Sequence, residues 1–218
     1  MDRKEGHRVR LEYFFSFRSS YTYLAVHRLK QVLPSLDVDL VCYPVFPPPG
    51  GPEPRVSADP EHFAYMIQDF RRHCEAYGLP LQLPDTKDTD WMPSHAGFYY
   101  AQDQGKRMEY LEAGFACRFE RNQDLGQDRT LHAIAEEIGL DPKGLLDAAH
   151  DPQRHEQVWL GMMHFRKQGM VGVPGFVIED QKFWGNDRLE WVVRAIHQAQ
   201  GREVPNLVLD LMAPPGRL

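Results

Sequence analysis

The N-terminal part of the chain holds the feature that most constrains the fold: a strand, a helix and a second strand in close succession. Apolar residues alternate from Val9 to Phe15, which predicts a strand. Apolar residues then recur at helical spacing from Tyr21 to Leu33, and an aliphatic and aromatic run from Val38 to Phe46 predicts the next strand. Because two strands joined through a helix normally run parallel, the sequence predicts a βαβ unit.

The turn between the first strand and the helix contains three hydroxyl residues, Ser19, Ser20 and Thr22. A serine at a helix start commonly serves as the N-cap. The unpaired N–H groups of a first helical turn also favour an anion such as a carboxylate or a thiolate. Ser19 therefore has two possible roles, as a helix cap and as the working residue that holds an anion. The sequence has no G-x-S-x-G motif, which argues against a serine hydrolase.

The rest of the chain reads as helices followed by a hairpin and a last helix. Residues 59–169 carry helical patterns only, strands return at Gly172 to Ile178 and at Lys182 to Trp184, and an amphipathic helix follows. This order predicts an α/β protein with a thioredoxin-like fold, a mixed sheet and a helical domain inserted after the second strand. We expect residues 1–55 and 170–218 to form the thioredoxin-like domain, and residues 56–169 to form the inserted helical domain.

Two motifs near the C-terminus could contribute to a site. A proline just inside a strand, as in Val173-Pro174, removes a ladder donor, and a cis peptide bond is one reason to find it there. A cis bond would turn the backbone groups of Val173 outward, toward an extended peptide-like ligand; a trans proline on an edge strand is the alternative. Asn186 or Asp187 either caps the last helix or grips an amino-acid moiety.

Composition limits the possible partners. The net charge of −6, the pI near 5.9 and the scattered basic residues argue against nucleic acid as the main partner. No apolar run approaches the roughly 20 residues that span a bilayer, so we expect no membrane partner. The polar N-terminus and three widely spaced cysteines predict a cytoplasmic protein. The histidines lack metal-site spacing, so no metal site is predicted.

The proline-rich stretch from Val45 to Arg55 reads either as a surface connector or as a loop that borders the site.

Three segments together resemble the 2-hydroxychromene-2-carboxylate isomerase family. They are Phe15 to Ala25, Gly172-Val173-Pro174, and the closing motif Phe183-Trp184-Gly185-Asn186-Asp187-Arg188-Leu189. This family includes the kappa-class glutathione transferases and lies within the DsbA-like branch of thioredoxin folds. The resemblance spans essentially the whole chain, and its closing motif is the most specific part.

The resemblance implies glutathione as the cofactor and a small aromatic or conjugated molecule as the substrate. It gives Ser19 the catalytic role of a hydrogen-bond donor to the glutathione sulfur, with the cysteinyl backbone against Val173 and a cis Pro174. It places the γ-glutamyl end near Asn186 and Asp187. The implied activity is that of an isomerase or transferase, in which the thiolate adds to the conjugated substrate and later leaves.

The chain departs from the family pattern at several places. The family usually has Ser-Pro-Tyr-Ser where this chain has Ser19-Ser20-Tyr21-Thr22. Redox members of the branch carry C-x-x-C there, so dithiol chemistry is not expected. The alternative function is a redox-inert DsbA-like binding module without glutathione chemistry. We also expect a homodimer, and the apolar patch from Leu207 to Met212 could pack on the core or on a second subunit.

Overall fold

A computed structural model describes residues 8–46, 59–85 and 89–204. Most of the proline-rich stretch and the patch from Leu207 to Met212 lie outside these ranges. The described strands are β1 (Val9–Phe15), β2 (Val38–Pro44), β3 (Gly175–Ile178) and β4 (Gln181–Trp184). The described α-helices are α1 (Ser20–Val32), α2 (Pro60–Tyr77), α3 (Met92–Asp103), α4 (Arg107–Phe119), α5 (Asp128–Ile138), α6 (Pro142–Ala149), α7 (Pro152–Lys167) and α8 (Leu189–Ala199).

The four strands form one mixed sheet in the order β2-β1-β3-β4. β1 pairs with β2 in parallel, from Val9 opposite Val38 onward, as the βαβ pattern predicted. β3 pairs antiparallel with both β1 and β4. The thioredoxin-like fold with a mixed sheet is therefore confirmed. Described residues between β2 and β3 form helices and no strand, while the domain boundaries at residues 55 and 170 stay a prediction.

Helix ends follow the local signals in the sequence. Asp59, Asp141 and Asp151 each cap a helix whose first residue is proline, and each aspartate side chain accepts a hydrogen bond from a first-turn N–H. Gly78 and Gly139 end their helices in the left-handed conformation with φ near +70°. These caps set the ends of the helices that surround the sheet.

The start of the last helix differs from the prediction that Asn186 or Asp187 would cap it. The chain first makes a 3-10 turn at Asn186–Arg188, and α8 begins at Leu189 without a side-chain cap. The side chain of Asn186 is buried and accepts a hydrogen bond from Arg28 instead. Of the two alternatives for these residues, the helix cap is therefore not realised: a long-range contact holds Asn186, and Asp187 pairs with Arg188.

The sheet is covered by helices that bring polar and aromatic groups to β1. Glu12 and Phe14 on β1 face α7, where Glu12 accepts a hydrogen bond from His164 at 2.8 Å and Phe14 packs against Phe165. Phe15, at the end of β1, packs against Phe98 of α3 with ring centroids 4.8 Å apart. No helix in the described ranges is both long and apolar enough to cross a bilayer.

Candidate functional site

Ser19 lies in the turn between β1 and α1. The residue has extended backbone angles and is the N-cap of α1, and its Oγ accepts a hydrogen bond from the N–H of Thr22 at 3.2 Å. The N–H of Ser19 donates to the carbonyl of Ser16 at 3.0 Å, which closes the turn. The cap role that the local pattern favoured is therefore realised.

The hydroxyl of Ser19 can make a further hydrogen bond besides the one that caps α1. A serine hydroxyl carries two acceptor lone pairs and one O–H donor, and the cap occupies only a lone pair. Ser19 is half-buried, so its O–H remains available to a ligand at the helix start. Among the described residues, no acceptor pairs with the N–H groups of Ser20 and Tyr21, which lie in the same first turn. These donors and the helix dipole together favour a negative charge beside Ser19.

His95 on α3 holds the turn from the side of the helical layer. Its imidazole is fully buried; Nδ1 lies 2.6 Å from the carbonyl of Trp91, and Nε2 accepts a hydrogen bond from the N–H of Phe17 at 3.4 Å. Burial lowers the pKa of His95 to about 4, against the opposing effect of the Trp91 carbonyl. The ring is therefore neutral near pH 7, with Nδ1 as the donor and Nε2 as the acceptor.

The Val173-Pro174 motif reaches the same end of the sheet from β3. The peptide bond between the two residues is cis, which confirms that expectation. Phe14 pairs with Gly175 in the antiparallel β1–β3 ladder. β3 begins at Gly175, so Val173 and Pro174 are the two residues that lead into this end of the ladder. Val173 and the turn that carries Ser19 therefore both lie at the end of the β1–β3 pair where β1 ends, at Phe15.

The backbone of Val173 is not used by the fold. Its N–H and C=O groups make no hydrogen bond with any residue that the structure describes, and the residue is half-buried. Such groups at the end of a strand can pair with an extended ligand. Pro174, in contrast, is tied to the closing motif, because its carbonyl accepts a hydrogen bond from the N–H of Gly185 at 2.9 Å.

Asn186 is held by a buried arginine on α1. Nη1 of Arg28 donates to the backbone carbonyl of Asn186 at 2.6 Å and lies 3.4 Å from its Oδ1. Both side chains are buried, at 7% exposure for Arg28 and 3% for Asn186. The contact of Asn186 with a ligand stays a prediction, and its side-chain oxygen already accepts a hydrogen bond from Arg28.

Asp187 stands next to Asn186 and is exposed. Its carboxylate is paired with Arg188 and lies over Gly185, where an added Cβ would come within 2.5 Å of Oδ1. The pKa of Tyr21 on α1 is raised by burial and by its hydrogen bond to Asp69, and the charge of Asp187 contributes a smaller part. Asp187 therefore lies within electrostatic reach of the helix that Ser19 caps.

Two residues near the turn were not identified as functional from the sequence, His95 and Arg118. Arg118 on α4 is 8% exposed, and its guanidinium lies 4.5 Å from the centre of the Trp91 ring. The signal for Arg118 was present, since it lies three residues after Phe115 on the apolar face of the helix. His95 has no such local signal.

Within the described ranges, no cluster of three His, Cys, Asp or Glu residues could hold a metal ion.

The sheet order, the strand-to-helix turn and the cis-proline define a protein of the thioredoxin-like class. A family model described as the DSBA-like thioredoxin domain matches residues 10–197, and the chain belongs to that family.

The individual relatives carry the names of two different activities, an isomerase and an oxidoreductase. A 2-hydroxychromene-2-carboxylate isomerase of Sphingobium xenophagum is 26% identical over 192 residues, covering 84% of this chain and 95% of that protein. The structure of a 2-hydroxychromene-2-carboxylate isomerase is similar with a TM-score of 0.74 and 21% identity, over 88% of this chain and 94% of that one. A probable DsbA oxidoreductase from Streptomyces coelicolor is also similar, with a TM-score of 0.74 and 19% identity, over 90% and 92%. The fold alone therefore does not separate the two activities.

Proposed function

We propose that this protein is a glutathione-dependent isomerase or transferase that acts on small aromatic or conjugated electrophiles. The observation that carries the proposal is the geometry of Ser19, whose hydroxyl caps α1 through a lone pair and keeps its O–H free beside unpaired first-turn N–H groups. Relatives named 2-hydroxychromene-2-carboxylate isomerase, matched over most of their length, support the isomerase activity.

The residues around Ser19 fit a tripeptide thiol. The unpaired backbone of Val173 can accept and donate one hydrogen bond each, as the cysteinyl residue of glutathione requires. The exposed carboxylate of Asp187 can pair with an ammonium group. Gly185 links these two subsites through its hydrogen bond to Pro174. The fit therefore supports glutathione with its sulfur at Ser19 and its γ-glutamyl end toward Asp187.

Glutathione, when bound, would supply a thiolate that adds to a conjugated carbon of the substrate. The chain contributes the environment that favours this thiolate. The O–H of Ser19 donates to the sulfur, and the positive end of the α1 dipole lowers the pKa of a thiol that is about 8.5 when free. Neutral His95 keeps Phe17, and through it the turn, in place without adding a charge. Ser19 thus acts as a hydrogen-bond donor and not as a nucleophile.

We further propose that the protein has no dithiol–disulfide activity. The two positions that bear cysteines in redox members of the branch are Ser19 and Thr22. The three cysteines of the chain are all buried and unpaired, and burial raises the pKa of each thiol. A homodimer and a cytoplasmic location remain predictions, which sedimentation and cell fractionation would test.

A peptide-binding module is the second candidate, and one observation favours it. Val171 and Trp184 flank Gly172 just before the cis-proline, and both are exposed, at 73% and 56%. An exposed apolar rim beside unpaired strand groups suits an extended peptide as well as a tripeptide thiol. If glutathione supports turnover and peptides do not compete with it for binding, the peptide-binding module is excluded.

Calorimetric titration with glutathione, followed by a turnover assay with an aryl halide electrophile, tests the proposal. We expect the wild type to bind glutathione and the Ser19→Ala variant to lose about 100-fold in kcat, with a smaller change in affinity. Because Ser19 is also an N-cap, Asp141→Ala on α6 is the matched control: it removes a cap and leaves the site unchanged. Absence of glutathione binding, or equal turnover of wild type and Ser19→Ala, would contradict the proposal.

A further inference from the structure

α7 carries apolar side chains on two opposite faces. Its inner face is packed into the protein, where Val158 and Gly161 are buried. An added Cβ at Gly161 would lie 3.2 Å from the hydroxyl oxygen of Tyr99, so the helix fits closely on this side. On the outer face, Leu160 and Met163 are 53% and 58% exposed. Packing within the subunit therefore explains one apolar face of α7 and leaves the other unexplained.

Four exposed residues of α7, Glu156, Leu160, Met163 and Lys167, form a narrow row that we call the outer stripe. They follow one another at intervals of four, three and four residues, which places them on one side of a helix with about 3.6 residues per turn. Alternating intervals of three and four residues also separate the a and d positions of a coiled coil. The outer stripe thus has the pattern of a surface that pairs with another helix.

The two charged residues of the outer stripe, Glu156 and Lys167, have no ion-pair partner among the residues that the structure describes. The ion pairs that α7 does make involve Arg154 and His164, which lie outside the stripe. The stripe therefore has a free negative charge at its first residue, a free positive charge at its last, and two apolar side chains between them.

The order of these residues makes the outer stripe complementary to itself. Because its intervals are the same from either end, the positions of the stripe coincide when the helix is turned end for end. In an antiparallel pair of α7 helices about a two-fold axis, Leu160 of each protomer lies level with Met163 of the other. Glu156 of each protomer then lies level with Lys167 of the other, so opposite charges meet. A parallel pair would instead place like charges together, which disfavours that arrangement.

We propose that the outer stripe of α7 is the surface through which two copies of this chain associate, as an antiparallel helix pair about a two-fold axis. This surface gives the expected homodimer a location and does not depend on the glutathione chemistry proposed for Ser19. Trp159 is 37% exposed and adds apolar area beside the stripe. Because α7 has 16 residues and is about 24 Å long, one helix pair makes a small interface, and we expect a dissociation constant in the micromolar range.

Sedimentation equilibrium of the full chain at concentrations of about 1–100 μM, with charge-reversed variants, tests the proposal. We expect the wild type to pass from monomer to dimer over these concentrations. Glu156→Lys and Lys167→Glu each create two like-charge contacts in the dimer and should weaken association about 10-fold. The double variant Glu156→Lys/Lys167→Glu restores opposite charges and should associate within about 3-fold of the wild type. Arg71→Glu is the control, because it makes the same charge change as Lys167→Glu at an exposed position on α2 and should leave association unchanged.

Cysteine cross-linking tests the antiparallel register directly. In the proposed dimer, position 156 of one protomer faces position 167 of the other, whereas the two copies of either position are about 16 Å apart along the helices. An equal mixture of Glu156→Cys and Lys167→Cys should therefore form a disulfide-linked dimer under mild oxidation, and neither variant alone should do so. The three native cysteines are buried and do not compete.

Leu160→Arg addresses the apolar centre of the stripe. It places two charges in the middle of the proposed interface and should weaken association about 100-fold. Since the replaced side chains are exposed, we expect every variant to fold, and a thermal melt at low concentration checks this. A wild type that stays monomeric at all these concentrations overturns the inference. A dimer that tolerates both charge reversals and Leu160→Arg, or that cross-links equally well with either cysteine variant alone, uses another surface and also overturns it.

Discussion

The buried imidazole of His95 accepts a hydrogen bond from the backbone N–H of Phe17, two residues before Ser19. This contact joins residues 78 positions apart in the sequence and ties α3 to the turn at the end of β1. Phe15 and Phe46 pack against the same ring, with centroids 5.9 Å and 4.9 Å away. The turn that presents Ser19 is therefore supported by a neutral, largely aromatic environment.

The stability of the protein should depend on the protonation of His95. Its pKa is about 4 in the folded protein and roughly 6.5 in an unfolded chain. Between these values the unfolded chain binds the proton and the folded one does not, so the free energy of unfolding falls as the pH falls through this range. We expect the difference in the free energy of unfolding between the wild type and His95→Gln, measured by urea titration, to shrink by roughly 2–3 kcal/mol from pH 7.5 to pH 4.5. A difference that is the same at both pH values would contradict this account.

Arg28 should support the glutathione site without touching the reacting sulfur. Its replacement by Gln removes the charged hydrogen bond to the carbonyl of Asn186 and leaves that carbonyl with the N–H of Leu189 alone, which should lower stability by about 1–3 kcal/mol. We expect glutathione affinity to fall about 10-fold, with the pKa of the bound thiol unchanged. Lys30→Gln on the same helix, which breaks an exposed ion pair with Glu112, should change neither quantity measurably.

The close packing of Gly114 against Phe17 leads to a prediction about the stability of a Gly114 variant. Alanine normally stabilises a helix interior by about 1 kcal/mol over glycine. Here an added Cβ would lie 2.5 Å from Cε1 of Phe17, so we expect Gly114→Ala to destabilise the protein by about 1–3 kcal/mol in urea unfolding. The double variant with Phe17→Leu should recover part of that loss, and strict additivity of the two changes would show that the contact is unimportant.

The three cysteines should be unreactive in the folded protein. Burial raises the pKa of Cys42 and Cys74 to about 12 and that of Cys117 to about 11. We expect slow reaction with a disulfide reagent before denaturation, three reactive thiols after it, and no insulin reduction. Ser19→Cys provides the positive control, because a thiol at the start of α1 should react quickly. Rapid modification of the native wild type would argue against redox inertness.

Local signals in the sequence predicted the elements that position the site. The alternation of β1 and the hydroxyl residues before α1 each depend on neighbours in the chain, and the structure has both at the predicted places. The third strand begins at Gly175 and not at the predicted Gly172, so Pro174 lies just before β3 and not inside it. Ser20 replaces the usual proline of the family, yet α1 begins at Ser20 with Ser19 as its cap, so the helix start does not need the proline.

Contacts between distant residues were not predictable in the same way. The bond from Arg28 to Asn186 joins residues 158 positions apart, and no periodicity in either segment indicates it. That contact turned the side chain of Asn186 inward and overrode its local preference to cap a helix. The stacking of Arg118 on Trp91 likewise depends on how α3 and α4 pack, so only a charged residue on an apolar helix face hinted at it.

The pKa of the glutathione thiol in its complex with the protein tests the central claim most directly. The absorbance of the thiolate, followed against pH, gives this value for the wild type, Ser19→Ala and the capping control Asp141→Ala. The account predicts a value of about 7.5 or lower for the wild type and for Asp141→Ala, and a return toward about 8.5 in Ser19→Ala. An identical thiol pKa in the wild type and Ser19→Ala would show that the Ser19 hydroxyl does not stabilise the thiolate.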